Sequence, residues 1–116
     1  MKKIVILGST GSIGENALRV VSALPSRFKV VGLGAKGNAA RLVEQARQYR
    51  VNQIALADPE AARRIASRNP DLRVGTGADG MEKLASLPGA DIVLCAVVGM
   101  PGLRPVLAAL GQGTDV

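Results

Sequence analysis

A chain of 116 residues with 47% apolar and 21% charged residues has the balance of one folded domain and leaves little room for a second. It holds no His, one Cys and two aromatic residues, Phe28 and Tyr49, which excludes disulfide scaffolds, Cys/His zinc sites, His-based triads and modules that stack nucleic-acid bases on aromatic platforms. Fifteen Lys and Arg against nine Asp and Glu give a net charge of +6, dispersed along the chain, which favours anionic partners without naming one.

Taken in order, residues 3–7 are β-branched and aliphatic and end in glycine, the pattern of a buried strand. A glycine-rich turn follows. Residues 13–24 then read as a helix with Ile13, Ala17, Val20, Val21 and Leu24 inward, closed by Pro25. Residues 28–33 are a second strand. Asn38 is positioned to cap a helix running to about Tyr49, with Leu42, Val43, Ala46 and Tyr49 inward. Residues 53–57 are a third strand. Asp58-Pro59 is an N-cap followed by a first-turn proline, so a helix runs from 59 to 68, ended by Asn69-Pro70. Arg73-Val74 is a short strand, and Met81, Leu84, Ala85 and Leu87 mark a short helix. Residues 90–98 are the most apolar strand, with Cys95 in its core, and residues 103–110 a last helix whose first turn tolerates Pro105. Strands alternating with helices predict an α/β fold: a Rossmann-like, doubly wound, mainly parallel sheet with helices on both faces, forming one domain over residues 1–116.

No uninterrupted stretch of roughly 18 apolar residues is present, so nothing in the sequence spans a membrane. The run Ile4-Val5-Ile6-Leu7 stops at Gly8, too short for a signal peptide, and a single apolar-context Cys suits a reducing compartment. The expected location is cytoplasmic.

The chemistry is concentrated in Gly8-Ser9-Thr10-Gly11-Ser12-Ile13-Gly14, between the first strand and the first helix. Gly8 suits a sharp turn out of the strand, Gly11 a close approach of backbone to a pyrophosphate, and Gly14 close helix packing. The N–H groups of Thr10, Gly11, Ser12 and Ile13 are then expected to face phosphates at the positive end of the helix dipole, with the Thr10 and Ser12 hydroxyls adding donors. A glycine-rich turn that binds nothing is the alternative. At the end of the second strand, where NAD sites carry a carboxylate for the ribose 2′-hydroxyl, the chain reads Lys36-Gly37-Asn38. Lys36 and the amides of Gly37 and Asn38 suit a 2′-phosphate, which points to NADP rather than NAD. The plainer reading is a solvated lysine beside a cap.

The loop, the continuation Leu24-Pro25…Phe28-Lys29-Val30-Val31-Gly32-Leu33, then Asn38 and Leu42-Val43-Glu44-Gln45, and finally Val97-Val98-Gly99…Gly102-Leu103 closely resemble the 1-deoxy-D-xylulose 5-phosphate reductoisomerase family. The resemblance spans essentially the whole chain but only the cofactor-binding part of that family's protein. It implies homodimeric enzymes of isoprenoid biosynthesis by the non-mevalonate route that rearrange and reduce a sugar phosphate, using NADPH with Mg²⁺ or Mn²⁺. The cofactor contacts it implies are Thr10, Gly11, Ser12, Ile13, Lys36, Gly37 and Asn38, with Val97, Val98 and Gly99 near the nicotinamide. Some members carry Gly-Lys where this chain has Lys36-Gly37.

The metal ligands and the substrate-phosphate site belong to a catalytic domain that follows in the family. The sequence reads as an N-terminal piece, with no catalytic or metal-binding residue of its own, expected to bind cofactor without turnover. Another oxidoreductase with the same glycine spacing, of semialdehyde dehydrogenase or short-chain reductase type, would need a catalytic Cys or a Tyr-Lys pair; Tyr49 has no lysine four residues on. A non-catalytic nucleotide-binding module is the other alternative. Nucleic acid and membranes are not expected partners.

Overall fold

Apolar runs bounded by Gly, Pro, Asn or Asp form the strands, and the amphipathic segments between them form the helices. The computed structural model describes residues 2–96. Its elements are β1 (Lys2–Leu7), α1 (Ser12–Ser22), β2 (Phe28–Ala35), α2 (Ala39–Gln48), β3 (Gln53–Leu56), α3 (Pro59–Arg68), β4 (Arg73–Thr76), α4 (Gly77–Ala85) and β5 (Ile92–Cys95). The strands form a parallel five-stranded sheet in the order β4-β3-β2-β1-β5.

The chain thus steps outward from β1 to β4 and returns to the far side of β1 for β5. The reversal falls between β1 and β5, the topological switch point at which open α/β sheets bind ligands. Right-handed crossovers put α1, α2 and α3 on one face and α4 on the other. Two cores follow from the strand alternation. Ile4 and Ile6 of β1 join Leu18, Leu42, Ile54 and Ile65 on the three-helix face. Val5 and Leu7 join Met81, Leu84 and Val93 on the α4 face.

One irregularity shapes β2. Ile4 pairs with Val30 but Val5 pairs with Gly32, so Val31 is an extra residue, a β-bulge. Beyond it Leu33 and Ala35 lie in the three-helix core, while Gly32 and Gly34 lie beneath α4. A Cβ at Gly32 would stand 2.8 Å from Leu84 Cδ1, and one at Gly34 would stand 3.1 Å from Met81 Sδ. The glycines therefore let α4 rest on the strand backbone.

The expected boundaries of the third helix are met: Pro59–Arg68 forms, with Asp58 Oδ1 accepting the Glu60 N–H at 3.1 Å. Asn38 caps α2 as expected, its Oδ1 accepting the Arg41 N–H at 3.3 Å. Other expectations need correction. β2 runs two residues past Leu33, and the short helix around Met81 begins at Gly77 and ends at Ala85, before Leu87.

The inward face of α1 agrees with the apolar pattern at Val21 and departs from it at Ile13, Val20 and Leu24. Gly14, Leu18 and Val21 are buried, whereas Ile13 is 70% and Val20 61% exposed, and Leu24 lies beyond the helix. The cause is Gly14: a Cβ there would stand 1.9 Å from the Gly8 carbonyl oxygen. That contact sets the rotation of α1, and Leu18 and Val21, at i+4 and i+7, follow it inward. Of the strand expected over residues 90–98, Ile92–Cys95 is strand; Val97 and Val98, and the helix expected over 103–110, lie outside the described residues. Cys95 is half-buried against the α4 core.

Candidate dinucleotide site

The loop after β1 is built from its backbone. Gly8 has φ of 85°, the left-handed conformation that β1 needs to turn toward α1. The N–H groups of Gly8 and Ser9 both donate to the Gly34 carbonyl, at 2.7 and 3.1 Å, tying the loop to the end of β2. Gly11 is the N-cap of α1, in extended backbone with φ of −78°, and has no side chain to cap the first turn.

Among the described residues nothing accepts from the N–H groups of Thr10, Ser12 or Ile13. The Gly11 N–H differs: it donates to the Gly8 carbonyl at 3.2 Å, so Gly11 contributes room rather than a donor. Among the described residues a Cβ at Gly11 would meet only the Gly8 oxygen, at 3.6 Å. No atom of these residues demands glycine at position 11, and a residue without a side chain there suits the close approach of a pyrophosphate. The cradle therefore fits the diphosphate of a dinucleotide.

Below the loop lies a feature that residue patterns did not single out. Ser9 and Gln45 are both wholly buried. The Ser9 Oγ donates to Gln45 Oε1 at 2.8 Å, and Gln45 Nε2 donates back to the Ser9 carbonyl at 2.8 Å. Gln45 occupies the apolar stripe of α2 between Leu42 and Ala46. A polar residue at an inward-facing helical position was the available signal. Beside this pair, Arg41 of α2 donates through Nε (2.8 Å) and Nη2 (2.5 Å) to Glu15 Oε1 in the first turn of α1. The Glu15 hydrogen bond raises the Arg41 guanidinium above its ordinary pKa, so that charge is committed to α1.

The turn after β2 has different materials. Lys36, Gly37 and Asn38 are exposed, and Lys36 makes no ion pair among the described residues. Among the described residues nothing accepts from the Gly37 and Asn38 N–H groups, while the Lys36 carbonyl accepts the Asp58 N–H at 2.9 Å. An open hollow of about 530 Å³ is lined by Lys36, Gly37, Ala57 and Asp58. Asp58, its acidic member, turns its carboxylate onto the start of α3. Lys36 and Gly37 thus border one open space, with Asn38 next along the turn.

The structure brings Thr10, Gly11, Ser12 and Ile13 together at the switch point, and Lys36, Gly37 and Asn38 one strand away at the same sheet edge. Val97, Val98 and Gly99 lie outside the described residues. Among the described residues no group of three or more His, Cys, Asp and Glu could hold a metal ion, and no helix is long and apolar enough to cross a membrane.

Comparison with known proteins agrees with this geometry. Residues 4–116 match the family described as 1-deoxy-D-xylulose 5-phosphate reductoisomerase. The enzyme of that name from Pelotomaculum thermopropionicum is 46% identical over 121 aligned residues, covering 100% of this chain and 31% of its own length. The fold superposes with a TM-score of 0.88 and 29% identity on the Zymomonas mobilis 1-deoxy-D-xylulose 5-phosphate reductoisomerase in complex with NADPH, covering 97% of this chain and 30% of that one. A crystal structure of the reductoisomerase in complex with NADPH, fosmidomycin and magnesium gives a TM-score of 0.91 at 28% identity, covering 98% of this chain and 29% of that one. The chain spans about 30% of the length of the curated relatives it matches. With the family matched from residue 4 to the last residue, and its fold reproduced around the loop from Gly8 to Gly14, the chain belongs to the 1-deoxy-D-xylulose 5-phosphate reductoisomerase family.

Proposed function

We propose that residues 1–116 are the NADPH-binding domain of a reductoisomerase that converts 1-deoxy-D-xylulose 5-phosphate to 2-C-methyl-D-erythritol 4-phosphate. The observation that carries this reading is the unpaired backbone of the β1–α1 loop at the switch point of a sheet matched by this family throughout. Thr10, Ser12 and Ile13 donate N–H groups to the pyrophosphate, Gly11 leaves it space, and Lys36, Gly37 and Asn38 hold the 2′-phosphate. The exposure of Ile13 suits a side chain lying against a ligand. When bound, NADPH supplies the hydride for the reduction; the residues described here bind and orient it.

By themselves these 116 residues bind cofactor without turning substrate over. The sugar phosphate, the divalent metal (Mg²⁺ or Mn²⁺) and the homodimer contacts are assigned to the remainder of the family's length, and the protein is cytoplasmic. Titration with NADPH and NADH, followed by amide NMR, tests the reading. Saturable shifts at Thr10, Ser12, Ile13 and Lys36–Asn38, stronger with NADPH, are expected. A folded chain that shows no shifts with either cofactor overturns it. Consumption of NADPH by the purified chain on addition of the sugar phosphate and Mg²⁺ would overturn the assignment of turnover to the remainder.

A further inference from the structure

The Ser9–Gln45 pair does more than fill a core position. Every main-chain polar group of Ser9 is engaged: its N–H donates to Gly34 O at 3.1 Å and its carbonyl accepts Gln45 Nε2 at 2.8 Å. The described chain has no cis peptide bonds. In a trans peptide the carbonyl and the following N–H point in opposite directions. With the Ser9 carbonyl held inward by α2, the Thr10 N–H, which belongs to the same peptide plane, faces the other way, and nothing in the described chain accepts from it. Gln45 also lies seven residues, two helical turns, from Asn38 on the same side of α2. One side chain therefore links the element bearing the second-strand turn to the peptide that opens the glycine loop.

We propose that Gln45 is a positioning residue for the dinucleotide: by holding the Ser9 carbonyl it aims the Thr10 N–H at the pyrophosphate. This rests on the cofactor reading above. It predicts that the donor of Gln45, more than its bulk, governs affinity. Gln45→Met keeps the length and removes both hydrogen bonds, so NADPH affinity falls about tenfold or more, the scale of one hydrogen bond to a charged group. Gln45→Glu keeps the shape. Its neutral acid donates an O–H to the Ser9 carbonyl and accepts from Ser9 Oγ, whereas its carboxylate has no proton to give. Burial favours the neutral form, so the substitution behaves like the parent at acidic pH and loses affinity as pH rises.

The experiment measures NADPH dissociation constants for the unmutated chain and both variants from pH 5 to 8, with folding followed by circular dichroism. Each is expressed as a ratio to the unmutated chain, which cancels the titration of the ligand phosphate and leaves the charged neighbours Glu15, Arg41, Glu44 and Lys36 common to all three. A ratio that stays near its reduced value for Gln45→Met and worsens with pH for Gln45→Glu supports the proposal. Ratios near one throughout overturn it. A second readout needs no variant: in the unmutated chain, NADPH shifts the Thr10 amide proton downfield and leaves the Gly8 and Ser9 amides, tied to Gly34, nearly unmoved. An unmoved Thr10 amide in a chain that binds NADPH overturns the positioning role alone, whereas a chain that does not bind NADPH overturns the cofactor reading with it.

Discussion

The loop after β1 and the turn after β2 leave the same edge of the sheet on adjacent strands, yet they are made of opposite materials. The first offers peptide N–H groups at a helix start whose cap is a glycine without a side chain. The second offers a lysine, two free N–H groups and a helix capped by the Asn38 side chain. In the cofactor reading proposed above, uncharged donors would recognise what every dinucleotide has, a pyrophosphate. In that same proposal, the charged turn would meet the one feature that separates NADP from NAD. The proposal thus assigns common recognition to backbone geometry and selective recognition to a side chain.

Substitutions separate the two. The largest effect is expected from Gly14→Ala, because its Cβ would meet the Gly8 carbonyl oxygen, a backbone atom, at 1.9 Å. A loss of about 3 kcal/mol, the upper end of over-packing costs, should appear in a urea melt. Gly11→Val isolates binding from folding. The position has room and an extended φ, so stability should change by less than about 1 kcal/mol. Affinity for NADPH and NADH should fall together, by roughly a hundredfold, as the side chain takes the place of the phosphate.

Lys36→Ala sharpens the contrast from the other side. NADPH binding should weaken by about 1–3 kcal/mol while NADH binding is unchanged, as measured by titration calorimetry. Equal losses for both cofactors would remove Lys36 from 2′-phosphate recognition. Arg41→Ala leaves the Glu15 carboxylate unneutralised beside the glycine loop. Both cofactors should then bind a few-fold more weakly, an effect that fades with added salt.

The smallest effect is expected from Asp71→Asn. Arg47 bonds Asp71 Oδ1 at 3.1 Å and also contacts Oδ2, and this hydrogen bonding holds the Asp71 carboxyl below its ordinary range. A carboxyl with a lowered pKa stabilises the fold at pH values above its unfolded pKa. That contribution disappears as the pH falls through the lowered one. Acid titration of stability should therefore be slightly flatter in Asp71→Asn, with cofactor binding at neutral pH unaltered.

Much of this architecture was legible in residue order. Asp58-Pro59 and Asn38 mark helix starts through local chemistry, and the strands are short aliphatic runs between breakers. The glycine loop was legible because its spacing sits between a strand and a helix. The rotation of α1 was not: apolar residues occur on two of its faces, and a glycine-to-carbonyl contact decides between them. The internal bond of the Gly11 N–H and the buried Ser9–Gln45 pair were equally hidden. The first is a local bond set by the loop's own backbone angles, which residue types leave open; the second depends on where α2 brings a residue 36 positions away, and a glutamine in an apolar stripe does not announce its partner.

The bulge at Val31 has a consequence for alignment along the sheet. In a strand, successive carbonyls point alternately to the left and right neighbour, just as side chains alternate between faces. One inserted residue resets both alternations at once. Downstream of Val31, that phase directs the Gly34 carbonyl to β1, where it receives Gly8 and Ser9, and turns the glycine side of β2 under α4. Without the bulge, with Val31 rather than Gly32 paired to Val5, the strand would keep its earlier phase, pointing the Gly34 carbonyl toward β3 and pressing Leu33 against Met81 and Leu84. The glycine loop and the turn after β2 keep step because β2 carries this single-residue vernier between its entry and its exit.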